Sequence, residues 1–482
     1  MANLTLVEDF RRLSMTNREY GRNRDRWTFL LDSFIGGDDY RRAGHLTKYV
    51  LEQDGEYNAR LKTTPLQNHC ASVVSTYLSF LFRNDIVRDF ADWEGQPDIE
   101  DFLKDCDYEG RSFNSFVKDA AQWASVFGHC WMIMVKPNVG ASTLGQEMDM
   151  GVRPYINLMS PLVVNDWTWE RHPNGQYELV YLKYIEEVVD KVTVLKEWDK
   201  TSIKTWILDS VKQEAHLKME EPNMLGVIPA VIAYNRKSMV RGQGVSDITD
   251  IADAQKLIYN LTSEIEQSIR LDGHPSLVVP DNAQLGAGAG ALIIQPTGSD
   301  PGMNPYYLQT SGANIASIQA SIDKIIESID QMANTGGVRT TKSGVSSGVA
   351  LQTEFELLNA RLSEKADSLE LAEEQLWKLF ALYQGKIWNG SIKYPDSFSI
   401  RDIQREYNEL VTAKNAASSP EAIAVIDYRV RELLDDPNLP DEPATHLTAQ
   451  GFSPTGPQKT GPNADPSKRP RRYFSSTTTG LE

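Results

Sequence analysis

Apolar residues recur at steps of three and four through much of residues 1–128, which predicts a helical beginning. The clearest stretches are 65–82 and 111–128. The second carries one apolar stripe, made by Phe113, Phe116, Val117, Ala120, Trp123, Ala124 and Phe127. Gly128 follows this stripe and predicts the end of the helix, because glycine adopts the left-handed conformation that closes many helices.

The pattern changes in residues 129–235, where short runs rich in β-branched and aromatic residues predict strands. These runs are 130–135, 155–159, 177–185, 191–198, 202–209 and 227–235. His172-Pro173-Asn174-Gly175 predicts a turn between two strands. Because several runs follow one another with no helix between them, we expect antiparallel meanders and therefore an α+β fold.

Helical spacing returns at 244–272 and ends at Gly273-His274-Pro275. A Gly- and Pro-containing segment with two short β-like runs follows, and a second long helix is predicted at 313–334. Its apolar positions alternate steps of three and four, which indicates a packing seam against another helix. The seam consists of Ile315, Ile318, Ile322, Ile325, Ile329 and Met332.

A loop rich in Gly, Ser and Thr leads from this helix to Gly348, and a third long helix is predicted at 349–385. Shorter helices are predicted near 401–415 and 420–435. The chain from about 437 onward is rich in Pro, Gly, Ser and Thr, which is typical of an extended or disordered tail.

Composition narrows the classes of function. The chain has 482 residues and a net charge of −17, whereas proteins that wrap DNA by neutralising phosphates carry a surplus of Lys and Arg. An acidic wall instead suits a protein past which DNA slides. The three cysteines form no disulfide or zinc pattern and favour a reducing compartment. We expect neither a signal peptide nor a membrane span.

Motifs for enzymatic chemistry are incomplete. Lys342-Ser343 ends a Gly-rich loop, but Thr341 stands where a phosphate-binding loop needs Gly, and a predicted helix rather than a strand precedes it. Ala291 likewise stands where a dinucleotide fingerprint starting at Gly286 needs its third Gly. The histidines are scattered without metal-ligand spacing. The sequence therefore predicts no enzyme, no cofactor and no metal site.

The order of parts resembles the portal proteins (head–tail connectors) of tailed bacteriophages over about residues 40–400. Residues 226–279 are similar to the strand that leads into that family's first stem helix. The recurring pieces there are Ile228-Pro229, Gly244–Ser246, Asn260, Ser263 and His274-Pro275. Residues 127–135 with 156–170 are similar to the family's wing strands, and 347–376 to the helix after its tunnel loop.

The resemblance implies a portal fold with an α/β wing, two antiparallel stem helices, a small β-containing clip, a long kinked wing helix and a helical crown. The expected parts are the wing at 1–243, stem helices at 244–272 and 313–335, the clip at 273–312, the tunnel loop at 336–348, the wing helix at 349–385, the crown at 386–440 and a basic tail at 441–482.

The resemblance also implies a function without catalysis. About twelve copies form a ring at one capsid vertex of the virion, assembled in the host cytoplasm, and double-stranded DNA is packaged and ejected through it. The implied partners are the terminase large subunit, head-completion, adaptor or tail proteins, and the major capsid and scaffolding proteins. No membrane partner is expected.

Charge along the chain agrees with a DNA channel. The helix at 244–272 carries six acids and two bases, that at 313–335 three acids and one base, and that at 349–384 seven acids and three bases. The loop between the last two carries only Arg339 and Lys342, which are candidate DNA contacts unless they are simply solvated. The tail offers further candidates for DNA or a partner protein, or ends in disorder: Lys468, Arg469, Arg471 and Arg472.

Two other functions stay open at this point. The first is another head-assembly protein, such as a minor head or adaptor protein with a helical rod. The second is a nucleic-acid enzyme such as an ATPase or nuclease. Rings with a central hole would separate the portal interpretation from the first, and hydrolysis lost on mutating Lys342 would favour the second.

Overall fold

The structure, a computed structural model, describes residues 2–137, 150–273, 313–336, 348–395, 403–416 and 419–433, four short strands between 276 and 308, and the single residues 140, 146 and 398. The chain divides into two units, Met1–Ser399 and Ile400–Glu482. Within the described residues, no helix combines the length and apolarity needed to cross a bilayer.

Helices occupy most of the first 127 residues, in agreement with the three- and four-residue apolar spacing. They are α1 (Ala2–Ser14), α2 (Arg18–Ile35), α3 (Gly37–Arg42), α4 (Asp54–Thr63), α5 (His69–Leu81), α6 (Pro97–Lys104) and α7 (Phe113–Phe127). The Ser112 hydroxyl accepts a hydrogen bond from Ser115 N at the start of α7. Gly128 ends it in the left-handed region, with φ of 94°, as predicted.

Two antiparallel sheets follow, and they confirm the predicted meanders. The strands are β1 (Val87–Asp89), β2 (His129–Val135), β3 (Tyr155–Met159), β4 (Val164–Arg171), β5 (Tyr177–Val189), β6 (Val192–Asp199), β7 (Ser202–Asp209), β8 (Glu214–Pro222) and β9 (Ala230–Tyr234). One sheet has the order β3-β2-β9, and the other runs β4-β5-β6-β7-β8 in sequence order.

Strand β8 was not among the predicted strands. In its sequence, EAHLKMEEP, Ala215, Leu217 and Met219 alternate with polar residues, but only Ala215 is buried and the rest of the strand is exposed or half-buried. It is the last strand of its sheet, so backbone hydrogen bonds to β7 hold it in place rather than side-chain burial.

Three long helices make up the second half of the first unit: α8 (Thr249–Gly273), α9 (Ala313–Ala333) and α10 (Gly348–Tyr383). The prediction that the first of these begins at 244 is wrong, because residues 244–248 are not helical and the helix begins at Thr249. Between α8 and α9 lie β10 (Ser276–Val278), β11 (Gln284–Leu285), β12 (Ile293–Ile294) and β13 (Tyr306–Leu308). They pair antiparallel as β10 with β13 and β11 with β12.

One apolar core joins α5, α7, β2 and the three long helices. At the far end of α10 it contains a group of packed aromatic rings, in which Trp377 lies 5.5 Å from Phe102 and 5.2 Å from Phe113 between ring centres. β1 pairs with β14 (Ser391–Lys393), and Arg88 donates to Glu373 at 2.5 Å beside this group. Segments some 300 residues apart are therefore held in one layer.

The second unit contains two described helices, α11 (Ile403–Ala416) and α12 (Pro420–Leu433). Both lie close to the predicted positions. An ion pair between Lys414 and Asp427, 2.5 Å apart, connects them. Because both side chains are nearly half exposed, this pair adds little stability.

Two glycine backbones touch where the three-stranded sheet meets the segment before α8. A Cβ added to Gly244 would lie 1.9 Å from the carbonyl oxygen of Gly128, and one added to Gly128 would lie 2.5 Å from that of Gly244. Both obstacles are backbone atoms, which cannot rotate away. Only glycine fits at either position without moving a strand or a helix.

We therefore expect Gly244→Ala to lower the free energy of unfolding by more than about 2 kcal/mol, since the new methyl group separates the two segments. Chemical denaturation of the full chain measures this. Gly21→Ala is the matched control: nothing lies within 4 Å of its added Cβ in α2, so stability should hold or rise. Equal stability of the Gly244 variant and the wild type would refute the proposed close packing.

Candidate functional site

The non-helical segment before α8, residues 244–248, is fixed by hydrogen bonds to the end of α7. The Ser246 hydroxyl donates to the Val126 carbonyl at 2.6 Å. The Asp247 amide donates to the Ser125 carbonyl at 3.0 Å. These bonds satisfy carbonyls at the C-terminal end of α7 and set where α8 begins.

Three charged side chains meet beside this segment, and we call them the helix joint: Asp247, Arg361 and Lys365. Lys365 Nζ donates to Asp247 Oδ2, to Asn235 Oδ1 and, at 3.1 Å, to Ser125 Oγ. Arg361 Nη2 donates to Asp247 Oδ1 at 3.0 Å. The exposed fraction of the side chain is 0% for Asp247 and 5% for Lys365, so the joint is shielded from water.

The helix joint also holds the end of α9. Arg361 Nη1 donates to the Met332 carbonyl at 3.0 Å, and the Tyr77 hydroxyl donates to the Ala333 carbonyl at 2.5 Å. The Arg361 guanidinium lies 5.2 Å from the centre of the Tyr77 ring, a cation–π contact. Because one guanidinium binds both Asp247, before α8, and Met332, at the end of α9, the two helices run antiparallel.

Electrostatics keeps Asp247 ionised. Burial raises the pKa of this carboxyl group, but the charges of Lys365 and Arg361 outweigh burial and hold the pKa below its usual 3.8. A buried carboxylate with two cations and hydrogen bonds to each is stable, whereas removing one partner would leave an uncompensated charge. The helix joint therefore tolerates only the arrangement in which all three groups meet.

A second polar cluster supports α8 farther along, and we call it the α4 brace: Glu52, Arg60, Asn260 and Ser263. Arg60, only 2% exposed, donates to Ser263 Oγ at 3.0 Å and from Nε to Glu52 at 2.8 Å. Asn260 Oδ1 accepts from the Thr47 amide at 2.8 Å. Asn260 and Ser263 are among the residues that carried the resemblance, and the structure gives them this supporting role.

The predicted seam lies on α9 as follows. Ile322 is 2% exposed and Ile329 is fully buried, in the same apolar core as Ile251 and Ile258 of α8. Ile315, Ile318 and Ile325 are half-buried. Met332 is 38% exposed, and the neighbouring Ala333 is buried in its place.

The predicted DNA-contacting residues Arg339 and Lys342 lie outside the described residues and stay a prediction. The same holds for the candidate contacts in the tail: Lys468, Arg469, Arg471 and Arg472.

Neither the helix joint nor the α4 brace was predicted from the sequence, although α10 carries a signal for the helix joint. Its apolar stripe runs through Leu358, Leu362 and Leu369, all buried, and Lys365 stands at the helical step between the last two. A charge inside an apolar stripe predicts a buried partner elsewhere in the chain. The stripe does not reveal that the partner is Asp247, because that residue is far away in sequence.

Two thiols and one imidazole of the first unit are buried and uncharged near neutral pH. Burial raises the pKa of Cys106 to about 12 and also raises that of Cys130, so both thiols are protonated near neutral pH. Burial lowers the pKa of His129 to about 3, which keeps the imidazole neutral. Among the described residues, no group of three His, Cys, Asp or Glu side chains could hold a metal ion.

Residues 63–417 match the family described as phage portal protein, SPP1 Gp6-like. The match covers most of the chain, including the helix joint and the three long helices. The chain belongs to the phage portal protein family. This is a structural family and not an enzyme family. No curated protein matches the sequence.

This portal protein is also similar to solved structures of gene transfer agent (GTA) particles. One is the neck of an empty GTA particle computed with C6 symmetry, with a TM-score of 0.44 and 11% identity, covering 82% of this chain and 99% of that chain. Another is the virion of a native GTA particle, with a TM-score of 0.42 and 11% identity, covering 83% and 98%.

We expect Asp247→Asn to lower the free energy of unfolding of this portal protein by about 3–5 kcal/mol, because it leaves Lys365 and Arg361 buried without a counter-charge. Urea denaturation monitored by circular dichroism measures the change. Asp250→Asn, an exposed position in the first turn of α8, is the matched control and should alter stability little.

The same pair of proteins tests the electrostatics by pH. The pKa of Asp247 is depressed in the folded state, so its stabilisation is present above about pH 4 and is lost as pH falls through the lower folded value. The wild type should therefore lose more stability than Asp247→Asn does below about pH 4. Parallel acid profiles for the two would show that Asp247 is not the paired carboxylate.

Proposed function

We propose that this protein forms the portal ring at one vertex of a phage capsid, through which double-stranded DNA is packaged and ejected. Membership in the portal family supports the proposal, and one structural observation carries it. Two long antiparallel helices leave the α/β body together, and both are held at the helix joint. Such a pair suits the wall of a channel built from about twelve copies arranged with closed symmetry.

The parts of the ring follow from chain order in this proposal. Helices α8 and α9 are the stem, with 25 and 21 residues, and so about 37 and 31 Å long. The segment between them, 273–312, is the clip that docks the terminase and later the head-completion or tail proteins. Residues 336–348 form the tunnel loop, α10 is the wing helix, and α11 and α12 belong to the crown. Capsid and scaffolding proteins surround the ring at its vertex.

Charge supports a passage in which DNA slides. The three long helices carry net charges of about −3, −2 and −4, so a wall built from them repels phosphates instead of gripping them. Arg339 and Lys342 would then supply a thin basic ring in the tunnel loop. Contacts of this kind are weak and weaken further with salt, because each releases few counterions.

Exposed apolar side chains on the long helices support contact between copies. Leu257 and Ile269 of α8 are 50% and 52% exposed, and Leu357 and Leu371 of α10 are 53% and 56% exposed. In an isolated chain these groups face water. Packing against a neighbouring copy would bury them, at roughly 25 cal/mol for each Å² of apolar surface removed from water.

Imaging tests the ring directly. We expect the purified full-length chain to form rings with a central hole in negative stain, with a particle mass about twelve times the 54.1 kDa of the chain. Monomers or long rods at the same concentration would refute the portal ring.

The tunnel-loop contacts are tested by Arg339→Ala combined with Lys342→Ala. Rings should assemble as in the wild type, and packaging or retention of DNA should fall severalfold, because the basic ring is lost. Lys191→Ala with Lys218→Ala, two exposed lysines of the five-stranded sheet region, removes the same charge elsewhere and is the control. Normal DNA packaging in the loop variant would remove Arg339 and Lys342 from the functional residues.

A further inference from the structure

The N-terminal helices carry a concentration of positive charge that the portal function alone does not explain. Residues 11–26, which we call the basic segment, contain six arginines, no lysine and two acids, in a chain whose net charge is −17. Two of the arginines serve the fold: Arg12 pairs with Glu197 and Arg26 with Asp253. The other four point to a different use.

The remaining arginines of the basic segment are exposed and largely without partners. Arg11, Arg18 and Arg24 make no side-chain hydrogen bond or ion pair with any other residue that the structure describes. Arg22 has only Glu19, 3.4 Å away, and its side chain is 67% exposed. Arg18 and Arg22 lie one helical turn apart on α2, so they present two guanidinium groups on one face.

A second surface has the opposite charge. Residues 85–109, which we call the acidic segment, contain ten acids and two bases. Asp85, Glu94 and Asp101 are exposed, and in the described part of the chain their carboxylates have no hydrogen bond or ion pair. Lys386 reaches this surface from later in the chain, but it lies over the ring of Trp93 and bonds to Gln96 rather than to a carboxylate.

The two segments are attached to different parts of the first unit. The basic segment contacts the five-stranded sheet and α8, through Arg12 with Glu197 and Arg26 with Asp253. The acidic segment contacts α10 and β14, through Arg88 with Glu373 and the β1–β14 pairing. No hydrogen bond or ion pair connects the described residues of one segment to those of the other. Within the described residues, the two charged surfaces therefore do not neutralise each other.

We propose that the basic segment of one copy binds the acidic segment of the next copy around the ring. This rests on the proposed function, because it names the surfaces that join neighbouring copies. A closed ring uses a heterologous interface, in which each copy presents two different surfaces. Copies with a charge of −17 repel one another at contact distance unless opposite charges meet there. Arginine suits this contact, since its planar guanidinium binds a carboxylate with two parallel hydrogen bonds.

Charge reversal in the full-length protein tests the proposal. Arg18→Glu with Arg22→Glu should raise the protein concentration at which rings form by at least about tenfold, as seen by mass photometry and negative stain. The fold should be kept, because both positions are exposed and acids near the start of a helix are favourable. Lys191→Glu with Lys218→Glu makes the same change in net charge on exposed lysines elsewhere and should leave assembly near the wild-type value.

Reversal of the partner surface completes the test. Glu94→Arg with Asp101→Arg should weaken ring formation to a similar degree, and combining it with the two arginine reversals should restore assembly to within about threefold of the wild type. Wild-type binding should also weaken as salt is raised, because opposite charges attract less when screened.

The outcomes distinguish failure of the proposed function from failure of the proposed interface. Absence of wild-type rings would refute the proposed function itself. Wild-type rings with arginine reversals that behave like the lysine control would refute only the interface, as would a defect that the acidic reversals fail to rescue. Normal rings that have lost affinity for DNA would overturn the interface and assign the arginines to phosphate binding.

Discussion

The buried charge of Asp247 determines how the long helices leave the body of this protein. A carboxylate without water must be surrounded by hydrogen-bond donors. Helix α10 supplies two of them, Lys365 and Arg361, and Lys365 is itself held by Asn235. The same arginine holds the last turn of α9. Three helices that are distant in sequence thus converge on a single anion, and none of them can shift along its axis without leaving a charge unpaired.

A joint made of apolar groups would give comparable stability but would fix the relative positions of the helices less precisely. Hydrophobic contacts are non-directional, so helices packed only by apolar groups can slide by a fraction of a turn at small cost. Ion pairs with hydrogen bonds fix both distance and angle. The seam of α9 supplies the apolar contact with α8, and the helix joint sets the register of the two helices. The apolar contact therefore stabilises the pair, and the ion pairs fix its geometry.

The sequence predicted those parts of the fold that depend on local periodicity. Helix α7, the strands from β5 to β7 and the three long helices follow from apolar spacing, and Gly128 ends its helix as expected. Long-range polar pairing could not be predicted. Lys365 and Asp247 form an ion pair only because the fold brings them together. Residues 244–248 have a helical pattern in the sequence, but the contact of Gly244 with Gly128 and the hydrogen bond of Ser246 to the end of α7 prevent a helix there. The edge strand β8 is a different case, because Ala215, Leu217 and Met219 alternate in its sequence although only Ala215 is buried.

The α4 brace has a mechanical consequence. Helix α8 is held at two points, the helix joint near Asp247 and the brace near Ser263, which are roughly 20 Å apart at 1.5 Å per residue. Two supports define a direction, so a displacement of about 1 Å at the brace tilts the helix by roughly 3° over that length. Small changes around Arg60 would therefore change the direction of the α8 axis without unfolding the helix. In the proposed ring every copy would tilt alike, and the bore of its channel would widen or narrow evenly around its circumference.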